Sequence, residues 1–587
     1  MATRTTSESG EIVLQGIPVS RGIAIAPIYV VARGLSAPEV YPVDDVEVEK
    51  ARFREALEKT KSQLNELRQR INAISGERDG SIFEAHLMML EDPAMTDRVL
   101  EAISQRQQNA EYALYAVAQN YLEAMRRVPD PYLRERTADI EDVCQRVLRN
   151  FRHEDVTEYS LHAEHVLVAY DLSPSDTVSM NRRHLLGFAT EQGSVNSHTA
   201  ILARSLGIPA IVGLEGAVLE LQTLTPSILD GYTGKLILNP ADETLSRYQQ
   251  FKREKEQLST DLEAGRDQEA VTTDGYSITL SANIELAEEL DSVRHSGARG
   301  VGLYRTEFLL LQGEQMPSEA HQAEVYTQLA KSLAPDPLII RTLDSGGDKL
   351  PVEPLTEPEP NPFLGWRGIR VSLDRPAMFK EQLRAILRAS AHGKVAVMFP
   401  LVSGIREVRK GKDIIHECMD ELAAQDVPFD EDLDVGIMIE LPSAAIIADL
   451  IAPEVDFFSI GTNDLIQYTV AADRVNQRVA DLYRPTHPAV IRLIKKTIDA
   501  GRDHGIWTGV CGEMAGDLTL TPLLLGLGVE ELSVGPHQVS RVRSAIRHLN
   551  HAECSTMARE AIRMPLSFDV HDISTNMARK YYPSLLD

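Results

Sequence analysis

The sequence predicts a multidomain α/β protein that ends in a (β/α)8 barrel, and three observations support this fold class. The chain has 587 residues, which is too long for a single hydrophobic core. Between positions 278 and 535, eight short apolar runs alternate with helical patterns. Before position 240, strand-like runs lie on both sides of a long stretch with helical periodicity. An open doubly wound sheet is the competing topology for the C-terminal half, and the count of eight runs favours the barrel.

The N-terminal part of the chain predicts one α/β domain that is interrupted by helices. Residues 12–35 are short apolar runs cut by Gly and Pro, which is typical of strands. From Asp44 onwards apolar residues recur at helical spacing, first in a long amphipathic helix and then in further helical patterns. Strand-like runs return as HVLVAYDL, HLLGFAT and SILDGYTGKLILNP. We therefore predict a discontinuous α/β domain over residues 1–40 and 153–240, with an all-helical insert over residues 41–152.

The rest of the chain predicts a linker helix and the barrel. Residues 241–270 are heavily charged and carry only a thin apolar stripe, which predicts a helix that links two domains. Residues 271–587 are predicted to form a C-terminal TIM barrel. Its strand-like runs are ITLSANI, GVGLYRTEF, LIIRTLD, VAVMFPLV, VGIMIELP, FFSIGTND, WTGVCGEM and LSVG.

Composition and charge narrow the possible functions. The formal net charge of −27, with no local Lys/Arg-rich patch, disfavours nucleic-acid binding. No run approaches the roughly 18 apolar residues of a membrane helix, and the polar N-terminus lacks the apolar centre of a secretion signal. The four cysteines form no CxxC pair, which is typical of a reducing cytoplasm and argues against a cysteine zinc site. The acidic surface would suit a basic protein partner, although solubility alone explains it equally well.

Polar side chains follow several predicted barrel strands, at the end where such barrels carry their active sites. These side chains are Arg305, Glu307, Arg341, Asp344, Lys349, Glu440, Asn463, Asp464, Cys511 and Glu513, with Arg367 and Arg474 in nearby loops. Each one alone has an ordinary explanation, because a strand-end arginine is usually a surface ion pair and an isolated cysteine is usually a small core residue. Together, however, they would meet at one barrel mouth.

The residue types at this mouth indicate metal-assisted phosphoryl transfer. Several guanidinium groups and one ammonium group match a small anion that bears phosphate and carboxylate. The carboxylates of Glu440 and Asp464 match hard oxygen ligation of Mg²⁺, and the lack of a His cluster argues against zinc. The sequence has no GxxxxGK[ST] motif, so we do not expect ATP bound in a P-loop as the phosphoryl donor.

The histidine in GSVNSHTAILARSLGIPA is the candidate phosphoryl acceptor. His198 precedes an apolar run that predicts a helix, and the free N–H groups at a helix start stabilise an anion. The segment alone fits equally well a helix capped by Ser197 or Thr199, with His198 facing solvent. The barrel mouth offers no obvious nucleophile, and its need for an acceptor favours phosphorylation of His198.

Eight segments in a fixed order carry a family resemblance. They are GIPVSRGIAIA, SHTAILARSLGIPAIVG, GVGLYRTEFL, RTLDSGGDK, NPFLGWRGIR, GIMIELPSAA, DFFSIGTNDLIQYT and WTGVCGEMAGD. Through them nearly the whole chain resembles Enzyme I of the bacterial phosphoenolpyruvate-dependent sugar phosphotransferase system. The resemblance implies a swivelling phosphohistidine domain that moves between the barrel and a partner, and we expect its hinge within residues 242–270.

The resemblance also implies the roles of the site residues. Phosphoenolpyruvate and Mg²⁺ would bind the barrel, and a ring nitrogen of His198 would take the phosphoryl group and pass it to a histidine of the carrier protein HPr, with pyruvate as the product. The implied substrate-binding residues are Arg305, Arg341, Lys349, Arg367, Asn463 and Arg474, the implied Mg²⁺ ligands are Glu440 and Asp464, and the implied proton donor to the enolate is Cys511.

The partner surfaces come from the same resemblance. The helical insert would dock HPr through the segment around Phe83, His86, Leu87 and Leu90, although a plain core stripe explains the same apolar pattern. The resemblance further implies a cytoplasmic homodimer that associates through the barrel.

The sequence departs from the family pattern at two places. The family usually has Gly-Gly-x-Thr or a near variant before Ser-His, whereas this chain has Gly193-Ser194-Val195-Asn196, which puts the transfer rate in doubt. Arg21 replaces a frequent Pro at an early turn. Two rival functions stand beside the enzyme: a dikinase or synthase relative would need an ATP-binding domain for which the chain has no room, and a non-catalytic phosphoenolpyruvate-sensing regulator would be expected to lose some of the site residues.

Overall fold

The chain divides into two compact units, Met1–Glu256 and Gln257–Asp587, in a computed structural model. The structure describes residues 4–6, 10–31, 37–75, 86–90, 92–126, 140, 143–151, 163–170, 172, 184–191, 193, 203, 208–214, 221–310, 316–346, 361–474, 476 and 478–586. Every helix within these ranges is too short or too polar to cross a membrane.

A mixed β-sheet forms the centre of the first unit. Its strands within the described ranges are β1 (Arg4–Thr6), β2 (Ile12–Gln15), β3 (Ile17–Ser20), β4 (Ile23–Val31), β5 (His165–Ala169), β6 (Leu185–Thr190), β7 (Ala210–Val212), β8 (Pro226–Asp230) and β9 (Lys235–Leu238). They lie in the order β1-β2-β9-β8-β4-β5-β6-β7-β3. The central strand β4 pairs in parallel with β5, so strands from both sides of the helical segment share one sheet.

The helices of the first unit that lie between β4 and β5 have a core of their own. The main ones are Val46–Ser75, Pro93–Arg106 and Ala110–Arg126. Their inner faces bury an apolar cluster that includes Phe53 and Leu114, in agreement with the predicted amphipathic pattern. The helix Pro93–Arg106 is not among the predicted patterns, because the described side chains of this helix bury a sparse stripe, Met95, Val99 and Ile103.

A further helix, Asp242–Ala264, occupies most of the predicted linker. Its residues are largely exposed, as the charged sequence predicts, and Tyr248 is its buried residue. The boundary between the two compact units falls inside this helix, at Glu256.

The second unit contains a closed barrel of eight parallel strands, which confirms the predicted α/β fold class. The strands are β10 (Thr279–Ile284), β11 (Val301–Arg305), β12 (Leu338–Arg341), β13 (Val395–Phe399), β14 (Asp434–Ile439), β15 (Phe457–Ile460), β16 (Trp507–Val510) and β17 (Glu531–Val534). Pairing of β17 with β10 closes the barrel. The helices around and beyond it are Leu290–Ser296, Glu307–Leu310, Glu319–Leu333, Ile369–Asp374, Pro376–Ser390, Ile405–Ala423, Pro442–Ile446, Ala448–Ile451, Thr462–Val470, Pro488–His504, Thr521–Leu527, Pro536–His548, His551–Ala561, Ser567–Tyr581 and Pro583–Leu586.

The barrel interior has an apolar side and a polar side. On the apolar side, residues from β11 to β16 form one cluster, in which Trp507 stacks on Phe457 with ring centroids 4.6 Å apart. On the polar side, Ser281 donates a hydrogen bond of 2.5 Å to Glu531. A Cβ at Gly509 would lie 2.6 Å from the Glu531 carboxylate, so glycine there leaves room for the buried acid. Nearer the carboxyl ends of β10 and β17, the Ser533 hydroxyl donates a hydrogen bond to Asn283.

Candidate functional site

The carboxyl ends of the barrel strands surround a cavity of about 610 Å³. Its walls include Asn283 and Arg305 from β10 and β11, together with Asn463 and Cys511 from the segments after β15 and β16. Side chains from sequentially distant strands converge here because all barrel strands run parallel and end on the same face.

Three carboxylates lie close together at this face. Oxygens of Asp344, Glu440 and Asp464 all lie within 4.8 Å of one another. Glu440 directly follows β14, Asp464 belongs to the first turn of the helix Thr462–Val470, and Asp344 lies in the loop after β12. One Glu440 oxygen accepts a hydrogen bond of 2.8 Å from the main-chain N–H of Leu401, which fixes that carboxylate.

The electrostatics of this carboxylate cluster favour a cation. Burial, followed by the charges of Asp344 and Asp464, raises the pKa of Glu440 to about 8. Burial also acts to raise the pKa of Asp344, but the guanidinium groups of Arg341 and Arg367 outweigh it and lower that pKa. Because the donors are all oxygen atoms and repel one another, the cluster fits a hard divalent cation.

Four arginines surround the cluster, and each already has a carboxylate partner. Arg341 contacts Glu307 at 2.9 Å and Asp344 at 3.1 Å. The remaining contacts are Arg305 with Glu285 at 2.5 Å, Arg367 with Asp344 at 3.1 Å and with Asp464 at 3.2 Å, and Arg474 with Asp464 at 3.7 Å. The Nε atom of Arg341 is buried and has no hydrogen-bond partner among the described residues. The mouth therefore holds cationic groups whose present partners an anionic ligand can replace.

Two further predicted residues complete the mouth. The Asn463 amide donates to Glu513 at 3.2 Å and accepts from the Glu513 main-chain N–H at 3.0 Å. Cys511 is buried, with its Sγ 3.8 Å from the carbonyl oxygen of Ile460. Burial raises the pKa of the Cys511 thiol to about 11, so the sulfur holds its proton at neutral pH.

The structure brings most of the predicted barrel residues together and leaves three predictions outside the described residues. Those brought to the mouth are Arg305, Arg341, Arg367, Glu440, Asn463, Asp464, Arg474 and Cys511. His198, Lys349 and Phe83 lie outside the described residues, as does the Ser194–Asn196 departure. In the first unit, His86 and Leu90 are buried, as the core-stripe alternative expects, whereas Leu87 is half-buried beside the exposed Met88.

Sequence reasoning missed two contributors to the mouth and did not assign the role of a third. Asp344 was recognised at a strand end but was not assigned to the metal ligands, although it is the third member of the carboxylate cluster. Glu285 pairs with Arg305, and its position directly after β10 was a signal that the strand-end rule could have used. Tyr468 accepts a hydrogen bond of 3.4 Å from Arg367, and it lies one helical turn after Asp464.

Comparisons with known proteins agree over nearly the whole chain. Three family models match it: PEP-utilising enzyme, N-terminal, over residues 15–136; PEP-utilising enzyme, mobile domain, over residues 161–234; and PEP-utilising enzyme, PEP-binding domain, over residues 259–551.

Relatives that carry the name phosphoenolpyruvate-protein phosphotransferase match nearly end to end. The protein from Staphylococcus carnosus is 42% identical over 95% of this chain and 98% of its own length. The protein from Priestia megaterium is 43% identical over 92% of this chain and 94% of its own. The protein from Listeria innocua is 41% identical over 95% of this chain and 98% of its own.

Proposed function

Because the chain belongs to the phosphoenolpyruvate-protein phosphotransferase family, it is an enzyme that moves a phosphoryl group from phosphoenolpyruvate to protein, and we propose that His198 receives that group first. One observation supports the binding of phosphoenolpyruvate at the barrel mouth: three buried or half-buried carboxylates, ringed by arginines, lie near a protonated thiol. The role of His198 rests on the resemblance of its segment to the family. This set matches the needs of a substrate that carries phosphate, carboxylate and an incipient enolate.

Glu440 and Asp464, joined by Asp344, would hold Mg²⁺. The fit rests on the oxygen-only donor set and on the raised pKa of Glu440, which burial and then the charges of Asp344 and Asp464 produce and which a bound cation would relieve. A bound Mg²⁺ would neutralise charge on the phosphate and on the enolate oxygen.

The arginines and Asn463 would bind and orient phosphoenolpyruvate. The anionic substrate takes over guanidinium groups that now pair with Glu285, Glu307 and Asp344, and the resemblance adds Lys349 as a further cation. Orientation by several fixed cations brings the phosphorus towards an incoming ring nitrogen.

The proposed reaction has two chemical steps, phosphoryl transfer to His198 and protonation of the enolate. A ring nitrogen of His198 forms a bond to phosphorus while the bond between phosphorus and the enol oxygen breaks, and the electron pair remains on the enolate. The carbon terminus of the enolate then takes the proton of the Cys511 thiol, which gives the methyl group of pyruvate. The thiolate afterwards recovers a proton from solvent. The raised pKa of the Cys511 thiol keeps the sulfur protonated at neutral pH, so that the proton is present when the enolate forms.

His198 would next pass its phosphoryl group to a histidine of HPr, in the cytoplasm, as the first step of sugar uptake. Docking of HPr on the helical segment has support in the exposed Met88 and the half-buried Leu87, whereas His86 and Leu90 of the same segment are buried. We carry over from the resemblance that the enzyme works as a homodimer through its barrel.

The decisive experiment incubates the purified enzyme with ³²P-labelled phosphoenolpyruvate and Mg²⁺, beside a His198→Ala variant. We expect acid-labile, alkali-stable label on the wild type alone, and its discharge when HPr is added. Label that persists on the variant would move the acceptor to another residue. A protein that binds phosphoenolpyruvate without taking label would be the regulator instead.

A further inference from the structure

We propose that Asn283 is a positioning residue, which holds Cys511 in place for the protonation step. The inference rests on the proposed role of Cys511 and goes beyond it, since it assigns a function to a side chain of β10 that does not itself carry the reaction. Asn283 lines the same cavity as Arg305 and Cys511, at the top of the polar side of the barrel interior.

The Asn283 amide joins three neighbouring strands at once. Its Nδ2 donates one hydrogen bond to the carbonyl oxygen of Cys511 and another to that of Ser533, each at 3.0 Å. Its Oδ1 accepts a hydrogen bond of 2.6 Å from the Ser533 hydroxyl. Both N–H groups of the amide are therefore used, and they connect β10 to the ends of β16 and β17.

The orientation of this amide follows from its partners. A flipped amide would turn its oxygen towards two carbonyl oxygens, where no proton is available for a hydrogen bond. Ser533 is buried, and its hydroxyl supplies the proton that the Oδ1 atom needs. One arrangement alone thus satisfies the three groups, which makes Asn283 a rigid connector.

The pairing of β16 with β17 ends one residue before Cys511, so the Asn283 amide provides the described link between Cys511 and β17. The registered pairing of β16 with β17 consists of Gly509 with Glu531 and Val510 with Leu532. Cys511 is the next residue, and on the other side its main-chain N–H donates to Ile460 at 3.2 Å. The Asn283 amide thus connects Cys511 to Ser533 just beyond the last paired residues of the two strands.

Proton transfer from a thiol to carbon depends strongly on geometry. A misplacement of about 1 Å can lower the rate of a step by about a hundredfold. In the protonation step the S–H bond of Cys511 breaks and a C–H bond of the pyruvate methyl group forms. Loss of the amide would therefore slow this step while leaving the arginines and carboxylates that bind the substrate in place.

The experiment follows proton exchange between pyruvate and solvent. The phosphorylated full-length enzyme is mixed with pyruvate and Mg²⁺ in D₂O, and loss of the methyl proton signal is followed by NMR. Phosphoenolpyruvate affinity is measured separately in a His198→Ala background, where the substrate binds without transfer. The variants are Asn283→Ala and Cys511→Ala. Ser281→Ala is the matched control, because the described side-chain hydrogen bond of Ser281 is buried and goes to Glu531 rather than to Cys511.

We expect Asn283→Ala to slow the exchange by about tenfold to a hundredfold, with less than a threefold change in affinity. Ser281→Ala should leave the exchange within threefold of wild type even where it lowers the melting temperature. In a Cys511→Ala background, the Asn283→Ala change should have no further effect on exchange, because the group that it positions is absent. Equal losses of exchange and affinity, or a further loss in the double variant, would overturn the inference.

A second readout separates this inference from the proposed function. If Cys511→Ala exchanges protons as fast as wild type, the role of Cys511 as the acid fails. In that case the positioning role of Asn283 is tested by the rate at which iodoacetamide alkylates Cys511, measured on the peptide that contains this cysteine. At least threefold faster alkylation in Asn283→Ala supports the positioning role, and an unchanged rate overturns it.

Discussion

The two ends of the barrel use charged side chains in different ways. At the carboxyl end, arginines pair with carboxylates of other side chains, as Arg341 does with Glu307 and Asp344. At the amino end, Arg543 donates to the main-chain carbonyl of Gly297 at 2.7 Å. Asp274 also pairs with the main chain, because its carboxylate accepts hydrogen bonds from main-chain N–H groups at the start of the helix His551–Ala561.

This difference separates groups that serve a ligand from groups that serve the fold. A side chain that pairs with another side chain can exchange its partner for a ligand of similar charge. A side chain that caps a helix cannot be released without exposing main-chain groups that have no other partner. Substitutions at the carboxyl end should therefore affect activity more than stability, and those at the amino end should do the reverse.

The largest effect is expected for Glu440→Gln. The change keeps the shape of a buried side chain, and the raised pKa of Glu440 means that glutamine resembles the protonated acid of the metal-free protein, so the fold should tolerate it. The loss of a metal ligand should lower the rate of phosphorylation by phosphoenolpyruvate by at least about a thousandfold. Rapid-quench measurement of labelled enzyme and a thermal melt test both halves of this expectation.

Glu454→Gln is the matched control for that variant. Glu454 pairs with Arg409 at 2.8 Å, away from the barrel mouth, and its substitution should leave the phosphorylation rate unchanged. A Glu440→Gln enzyme that keeps a tenth or more of its activity would contradict the assignment of the carboxylate cluster to the metal.

The sequence predicts the strands of the barrel well at their starts and poorly at their ends. The run FFSIGTND predicts a strand over 457–464, whereas β15 ends at Ile460 and Asp464 already belongs to a helix. The predicted strand is too long because the residues that follow β15 are also buried, in the site that they form. A sequence pattern does not distinguish a residue buried in a strand from one buried in the following loop or helix.

The sequence predicts which face of the barrel most of these residues occupy, but it does not predict how they pair. Arg341, Glu440 and Cys511 follow strands, so the fold class alone places them on one face. The packing of two loops decides whether Asp344 lies beside Glu440 or forms a surface ion pair. Likewise, the contact of Asn283 with Cys511 depends on where the pairing of β16 with β17 ends. Neither is encoded in local periodicity.

The second largest effect concerns Glu531, a buried acid at the first residue of β17. Burial raises its pKa to about 7, although the hydrogen bond from Ser281 acts in the opposite direction. The folded protein therefore keeps this proton to higher pH than the unfolded chain, in which the pKa of a Glu is about 4.3. Its contribution to stability is largest below about pH 4 and falls as the pH rises towards 7.

Glu531→Gln removes that dependence. As the pH rises from about 4 to 7, the wild type loses stability that the variant keeps. The free energy of unfolding of the variant minus that of the wild type should therefore increase, by at most roughly 3 kcal/mol. Thermal melts at matched pH values measure the gain. A difference between the two proteins that stays constant across this range would contradict a buried, titrating Glu531.

A smaller effect on substrate binding is expected for Arg341→Lys. A lysine keeps the charge but loses the planar fork that contacts Glu307 and Asp344 at once. We expect KM for phosphoenolpyruvate to rise about tenfold to a hundredfold, in line with the loss of one or two charged hydrogen bonds. Arg409→Lys, at an exposed pair, is the control and should leave KM unchanged. An unchanged KM in Arg341→Lys would mean that this guanidinium does not contact the substrate.

The smallest effect is expected for Asp274→Ala at the amino end of the barrel. In contrast to Glu440→Gln, this change should lower stability and leave activity unchanged. Hydrogen bonds from Thr272 and from the main-chain N–H groups of His551 and Ala552 outweigh partial burial and lower the pKa of Asp274 to about 2. The stability that they contribute is thus present above about pH 4 and is lost as the pH falls through 2. Loss of the helix cap should lower the free energy of unfolding at pH 7 by about 1 kcal/mol, with unchanged phosphorylation kinetics. A variant that melts like the wild type at pH 7 but phosphorylates more slowly would reverse the comparison, because it would make the amino end part of the site.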